Sequence, residues 1–155
     1  MPALARAELL AAATAFCDSI AQGKPLDEIM SHFASTPDVV VHEHGLPRLA
    51  PFLGRDFCGA EGVREYFETV GRCLRFEDTR FVEFIADEGV GDGAGKVAVR
   101  GKVRLTSTET GQSWDETFVY ILRFDETGKV VRYDVWADTG AAYLAGRGEL
   151  GKDGT

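Results

Sequence analysis

The sequence predicts an α+β fold in which a curved antiparallel sheet lays its apolar face over N-terminal helices. Three observations carry this. Val97, Val99, Gly101, Val103 and Leu105 alternate with Ala98, Arg100, Lys102 and Arg104, the period-two pattern of a strand with one dry and one wet face. Two further apolar runs, 114–124 and 130–137, follow at the turns Thr110-Gly111-Gln112 and Asp125-Glu126-Thr127-Gly128-Lys129, so three long strands join as antiparallel neighbours. Before them, Leu9, Ala13, Phe16 and Ile20 recur at helical spacing, which supplies a cover for the apolar face.

The elements follow in order. The first helix spans about 3–22 and closes at Gly23, where a left-handed cap suits glycine. Pro25 opens a shorter helix through Ile29 and Phe33. Thr36-Pro37-Asp38 breaks it, and the β-branched run 39–43 reads as a short strand. Residues 45–59 form an irregular stretch that is rich in proline and glycine yet carries Leu46, Leu49, Phe52, Leu53 and Phe57. Such a loop acts as a lid or packs on the core. A third helix covers 61–74 with the stripe Val63, Phe67, Val70 and Leu74 and with Tyr66 beside it. Residues 76–85 form another strand, and 87–95 a glycine-rich turn without a phosphate-loop pattern. One domain over 1–145 and an unstructured tail over 146–155 complete the expectation.

At 155 residues and a formal net charge of −8, the chain is large enough for one core and too acidic to favour nucleic acid or an anionic membrane surface. No apolar run approaches the ~20 residues that span a bilayer. Arg6 and Glu8 interrupt the Ala/Leu-rich N-terminus, so it reads as a helix rather than a signal segment. Cys17, Cys58 and Cys73 are odd in number and lack metal-type spacing, which fits reduced thiols in a cytoplasmic protein.

Three segments sharpen the picture: 38–45 (Asp-Val-Val-Val-His-Glu-His-Gly), 59–67 (Gly-Ala-Glu-Gly-Val-Arg-Glu-Tyr-Phe) and 128–138 (Gly-Lys-Val-Val-Arg-Tyr-Asp-Val-Trp-Ala-Asp). With the element order, they resemble the SnoaL-like branch of the NTF2-like superfamily, which includes polyketide cyclases and has ketosteroid isomerase as a relative. The resemblance implies a cone-shaped fold whose sheet wraps the N-terminal helices around an interior pocket. It also implies a homodimer paired through the convex sheet face. It does not select a reaction, because this fold hosts isomerases, dehydratases, cyclases, epoxide hydrolases and plain binding modules.

Alternation then assigns the faces. Trp114, Glu116, Phe118, Tyr120, Leu122 and Phe124 point inward, joined by Tyr133, Val135 and Ala137, while Asp115, Thr117, Val119, Ile121, Arg132, Asp134 and Trp136 point outward. A slip of one residue would exchange Glu116 for Asp115. The resemblance places the proton-shuttling carboxylate of the isomerase relatives on Glu43, the donor tyrosine of their first helix on Phe16, and their buried aspartic acid on Tyr120. Phe16 has no hydroxyl, so one of their two oxyanion donors is missing, and Tyr120 is left to supply the other. His42 and His44 share the strand face opposite Glu43, unless twist at the strand end brings His44 to the pocket as an acid/base. Only His32 remains beyond them, too few imidazoles for a zinc site. Arg100, Arg104, Arg123 and Arg132 fall on the outward parity, against the Asp-Arg-Asp network of the epoxide-hydrolase relatives; Arg48 and Arg55 remain as loop clamps for an anion. Phe52, Phe57, Tyr66, Phe118 and Tyr133 make the pocket aromatic. No serine or cysteine sits in a nucleophile motif.

Two readings stay open. One is a metal- and cofactor-independent acid/base enzyme, of isomerase, cyclase or dehydratase type, acting on a small hydrophobic carbonyl compound. Glu43 is its base, His44 or Glu116 its partner acid, and Tyr120 its carbonyl donor, with Phe16, His42, Phe52, Tyr66, Phe118 and Tyr133 around the ligand. The other is a non-catalytic binding or dimerisation module on the same fold.

Overall fold

A computed structural model describes residues 3–89 and 94–151. The apex of the glycine-rich turn (90–93) and the tail residues 152–155 lie outside the described residues. Helix α1 (Arg6–Ala21) buries Leu9, Ala13, Phe16 and Cys17 along one stripe and stops at Gly23, whose φ of 63° is open to glycine without strain. Helix α2 (Leu26–Met30) follows, then β1 (Val40–Glu43), β2 (Asp56–Cys58) and helix α3 (Gly59–Cys73). Four long strands, β3 (Leu74–Glu88), β4 (Gly95–Ser107), β5 (Ser113–Phe124) and β6 (Val130–Trp136), precede a last helix α4 (Thr139–Gly146).

The six strands form one sheet in the order β2-β1-β6-β5-β4-β3. β1 runs parallel to β6, and every other pairing is antiparallel. Burial on β5 alternates along its length, with Trp114, Glu116, Phe118, Tyr120, Leu122 and Phe124 all inside, so the register is the expected one and Asp115 faces solvent. The sheet curls around α1 and α3, whose apolar stripes meet its concave face.

Three segments are decided by the structure. Of the two alternatives for the 45–59 stretch, it takes the core-packing one and forms a plug. Phe52, Leu53 and Phe57 are buried in the core, the Gly54 amide donates to the Glu43 carbonyl at 2.9 Å, and β2 pairs with β1. Apolar side chains in a chain segment are buried when a neighbouring strand offers backbone partners, and here β1 does so. The second is α4, a helix the sequence did not announce, which Asp138 caps by accepting from the Ala141 amide at 3.0 Å. The third concerns residues 146–151. Gln112 anchors them, donating to the Gly148 carbonyl at 3.2 Å and accepting from the Leu150 amide at 3.0 Å.

Candidate functional site

The cone encloses a cavity of about 250 Å³. Exposed Gly23, Gly71 and Phe76 rim its mouth, between the end of α1, the end of α3 and the start of β3. Apolar side chains from α2, α3 and β4, among them Ile29, Val70 and Leu105, make the walls near the mouth. Tyr66, Phe118, Tyr120 and Tyr133 line the interior, and two carboxyl groups, Glu43 and Glu116, form the polar end. Each glutamate is 7% exposed.

Local structure explains why these acids meet. β1 holds its parallel register with β6 through Glu43, which lies opposite Val135; alternation therefore turns Glu43 inward with Val41 and sends His42 outward. Tyr66, inside the stripe of α3, donates its hydroxyl to Glu43 Oε1 at 2.6 Å. Glu116 Oε1 accepts from the Trp114 indole and from the Asp138 amide, both at 3.1 Å.

Burial pushes the Glu43 carboxyl up to about 7; the Tyr66 hydrogen bond opposes this and the charge of Glu116 adds to it. Burial likewise pushes Glu116 up to about 7, against the hydrogen bonds from Trp114 and Asp138 and with the Asp138 charge adding. Near neutral pH the two acids together hold roughly one proton. Burial also raises Tyr120, Tyr133 and Tyr66 above the usual phenol value, so all three remain neutral hydrogen-bond donors.

Of the residues singled out by sequence, Glu43, Glu116, Tyr120, Tyr66, Phe118 and Tyr133 converge on the cavity. Four do not. His42 and His44 lie on the convex face. His42 Nδ1 meets Asp56 Oδ1 at 2.7 Å, His44 Nε2 meets Asp134 Oδ1 at 3.0 Å, and the His44 ring stacks on Trp136 with centroids 4.2 Å apart. The twist that would have turned His44 inward is absent, because its amide still bonds the Val135 carbonyl as a continuation of the strand. Phe16 is fully buried behind Tyr133, with ring centroids 5.3 Å apart, and packs the core. Phe52 borders a separate small void shared with Glu43 and Glu116. Asp134 breaks the outward pattern by being buried, held by Arg132 at 2.8 Å and by His44.

The roles of Tyr66, Trp114 and the Asp138 amide as donors to the two acids are features that strand and helix patterns do not reveal. The one available signal was Tyr66 itself, a polar-tipped ring inside an apolar stripe. Among the described residues no group of three or more His, Cys, Asp or Glu side chains is placed to hold a metal, and no helix is long and apolar enough to cross a membrane.

Comparison with solved structures agrees on the fold. An NTF2-like protein of unknown function from Burkholderia pseudomallei is 19% identical and superposes with a TM-score of 0.72 over 89% of this chain and 96% of that one. A putative polyketide cyclase from Xanthomonas campestris is 13% identical, with a TM-score of 0.66 over 90% of this chain and 97% of that one. A Mycobacterium tuberculosis protein crystallised with estradiol-17beta-hemisuccinate is 17% identical, with a TM-score of 0.64 over 83% and 92%. At these identities the likeness is one of fold. No curated protein sequence matches the chain. The model of the SnoaL-like domain matches residues 13–133, a span that holds both floor acids and every tyrosine of the cavity; the chain belongs to the SnoaL-like family.

Proposed function

We propose that this protein is a cofactor-independent acid/base enzyme of isomerase, cyclase or dehydratase type, acting on a small hydrophobic carbonyl compound. The observation that carries the reading is the convergence of Glu43 and Glu116, both with pKa near 7, at the polar end of an aromatic cavity. Two carboxyl groups sharing about one proton supply a base and an acid at once. In this reading the Glu43 carboxylate takes a proton from the carbon next to the carbonyl. The C–H electrons form the carbon–carbon double bond of an enol, and protonated Glu116 delivers its proton to the carbonyl oxygen. Tyr120 hydrogen-bonds that oxygen as it gains electron density. Return of the proton to a different carbon completes an isomerisation; attack of the enol on a second carbonyl completes a cyclisation. The apolar walls bind the substrate body and exclude water. Neighbours of the same fold include proteins described as a putative polyketide cyclase and as crystallised with a steroid conjugate, which supports the ligand class.

The second reading, a binding module without turnover, is favoured by Phe16, which puts no donor where the isomerase relatives carry a tyrosine. A panel of aromatic ketones, followed by thermal shift and by product formation, separates the two. The enzyme reading expects turnover that falls about 10²–10⁴-fold in Glu43→Gln. Stabilisation without product, unchanged by Glu43→Gln, supports the binding module. Turnover that survives both Glu43→Gln and Tyr120→Phe overturns the residue roles. The proposal extends to a cytoplasmic homodimer paired through the convex face, where Trp136 is 40% exposed.

A further inference from the structure

The cavity has a one-sided charge balance. Among the described residues that line it, two are acids and none is lysine, arginine or histidine. The partners of these acids are all neutral donors: a phenol on Glu43, an indole and a backbone amide on Glu116. Elsewhere acids meet cations, as Asp134 does with Arg132, Asp115 with Arg104 and Glu83 with Arg100. A buried carboxyl without a counter-ion is electrostatically unsatisfied whenever it ionises. The groups facing the pair do not supply the missing charge. Tyr66 comes from α3, Tyr120 from β5 and Tyr133 from β6, all neutral, and Asp138 adds a third acid beside Glu116. Six aromatic rings line the cavity, Tyr66, Phe67, Phe76, Phe118, Tyr120 and Tyr133, and the faces of such rings attract cations and repel anions. A net charge of −8 favours the approach of cations as well.

We infer that the cavity selects ligands bearing positive charge at the buried carboxyl end: hydrophobic compounds with a protonated amine, whose apolar body extends toward the mouth at Phe76. This rests on the acid/base reading of the same site and narrows its substrate class to a carbonyl compound that also carries a basic nitrogen. An ammonium brings three N–H donors to the two glutamates. Its charge lowers the proton occupancy of the pair, so binding at neutral pH expels part of the shared proton into solution, while the share of Glu116 that stays protonated remains the acid of the reaction.

The test uses the full-length protein and three probes matched in size: 2-naphthylmethylamine, 2-naphthylmethanol and 2-naphthoate. Affinities are measured by calorimetry at pH 7 in two buffers of different ionisation enthalpy. The expected result is that the amine binds about tenfold more tightly than the alcohol and releases a proton that the alcohol does not, while the naphthoate fails to bind. In Glu43→Gln and Glu116→Gln the advantage of the amine shrinks toward parity, with alcohol binding retained as evidence of an intact cavity. Equal affinity of amine and alcohol, tighter binding of the naphthoate, or an amine advantage that persists in both variants overturns the charge selectivity and leaves the acid/base reading standing. Failure of all three probes to bind overturns the charge selectivity as well, and the acid/base reading is then decided by turnover of the ketone panel alone. The wild-type comparison and its proton count decide the matter even if a variant does not fold.

Discussion

Glu43 shows what one residue's surroundings do to its chemistry. Its sequence neighbours are two histidines, yet it shares no face with them; one peptide step separates a half-buried imidazole pair on the convex face from a buried acid. The cost of that burial has a definite pH dependence. Below its ordinary value of 4.5 the group is protonated whether the chain is folded or not. As pH rises through about 7, the unfolded chain is already ionised while the folded one resists, so the folded state loses about 3 kcal/mol relative to the unfolded one. Glutamine cannot ionise and still accepts the Tyr66 hydrogen bond. Glu43→Gln is therefore expected to be more stable than wild type at pH 8.5 and to show no such gain at pH 4.5, as read from denaturant midpoints. An equal difference at both pH values would show that the Glu43 carboxyl is not held up by burial.

At the scale of elements, β4 and β5 set the width of the cavity. Gly101 pairs with Phe118, and a Cβ at Gly101 would lie 2.3 Å from Phe118 Cζ, so the ring occupies the place where a side chain would stand. Gly101→Ala must displace the Phe118 ring, which borders the cavity. The expected cost is about 1–3 kcal/mol of stability, together with weakened binding of any cavity ligand, both measurable by thermal melts and titration. Retained affinity with a lowered melting temperature would mean that the ring moves elsewhere. This strand pair was also the most legible part of the chain, because alternation runs through both segments; the structure then excludes the one-residue slip that would have exchanged Glu116 for Asp115. β2 and α4 were not legible. β2 has three residues and exists because β1 offers it an edge; α4 announces itself only by the Asp138 cap, within a glycine-rich stretch that reads as a tail.

At the scale of the molecule, the cone is plugged at its polar end by the 45–59 segment and open at the other, which fixes how a ligand enters. Its convex face mixes ion pairs with the exposed edge of Trp136, whose other side is covered by His44. If that face pairs two subunits, Trp136→Lys places a charge in the interface. Wild type is then expected to sediment as a dimer at micromolar concentration and the variant as a monomer with an unchanged far-ultraviolet dichroism spectrum. A monomeric wild type would remove the dimer from the proposal.

The sequence alone determined the α+β class, the faces of β4 and β5 and the inward turn of Glu116, because each follows from a period set within one segment; Glu43 came to the pocket through the family resemblance. The tertiary structure decided which groups those acids meet. Tyr66 reaches Glu43 from 23 residues away, and the Asp138 amide reaches Glu116 from 22. It also sent His44 outward, turned a greasy loop into a plug and set Phe16 behind Tyr133. Such pairings are fixed by the closing of the sheet around the helices, and no local pattern encodes the distance between residues on different elements.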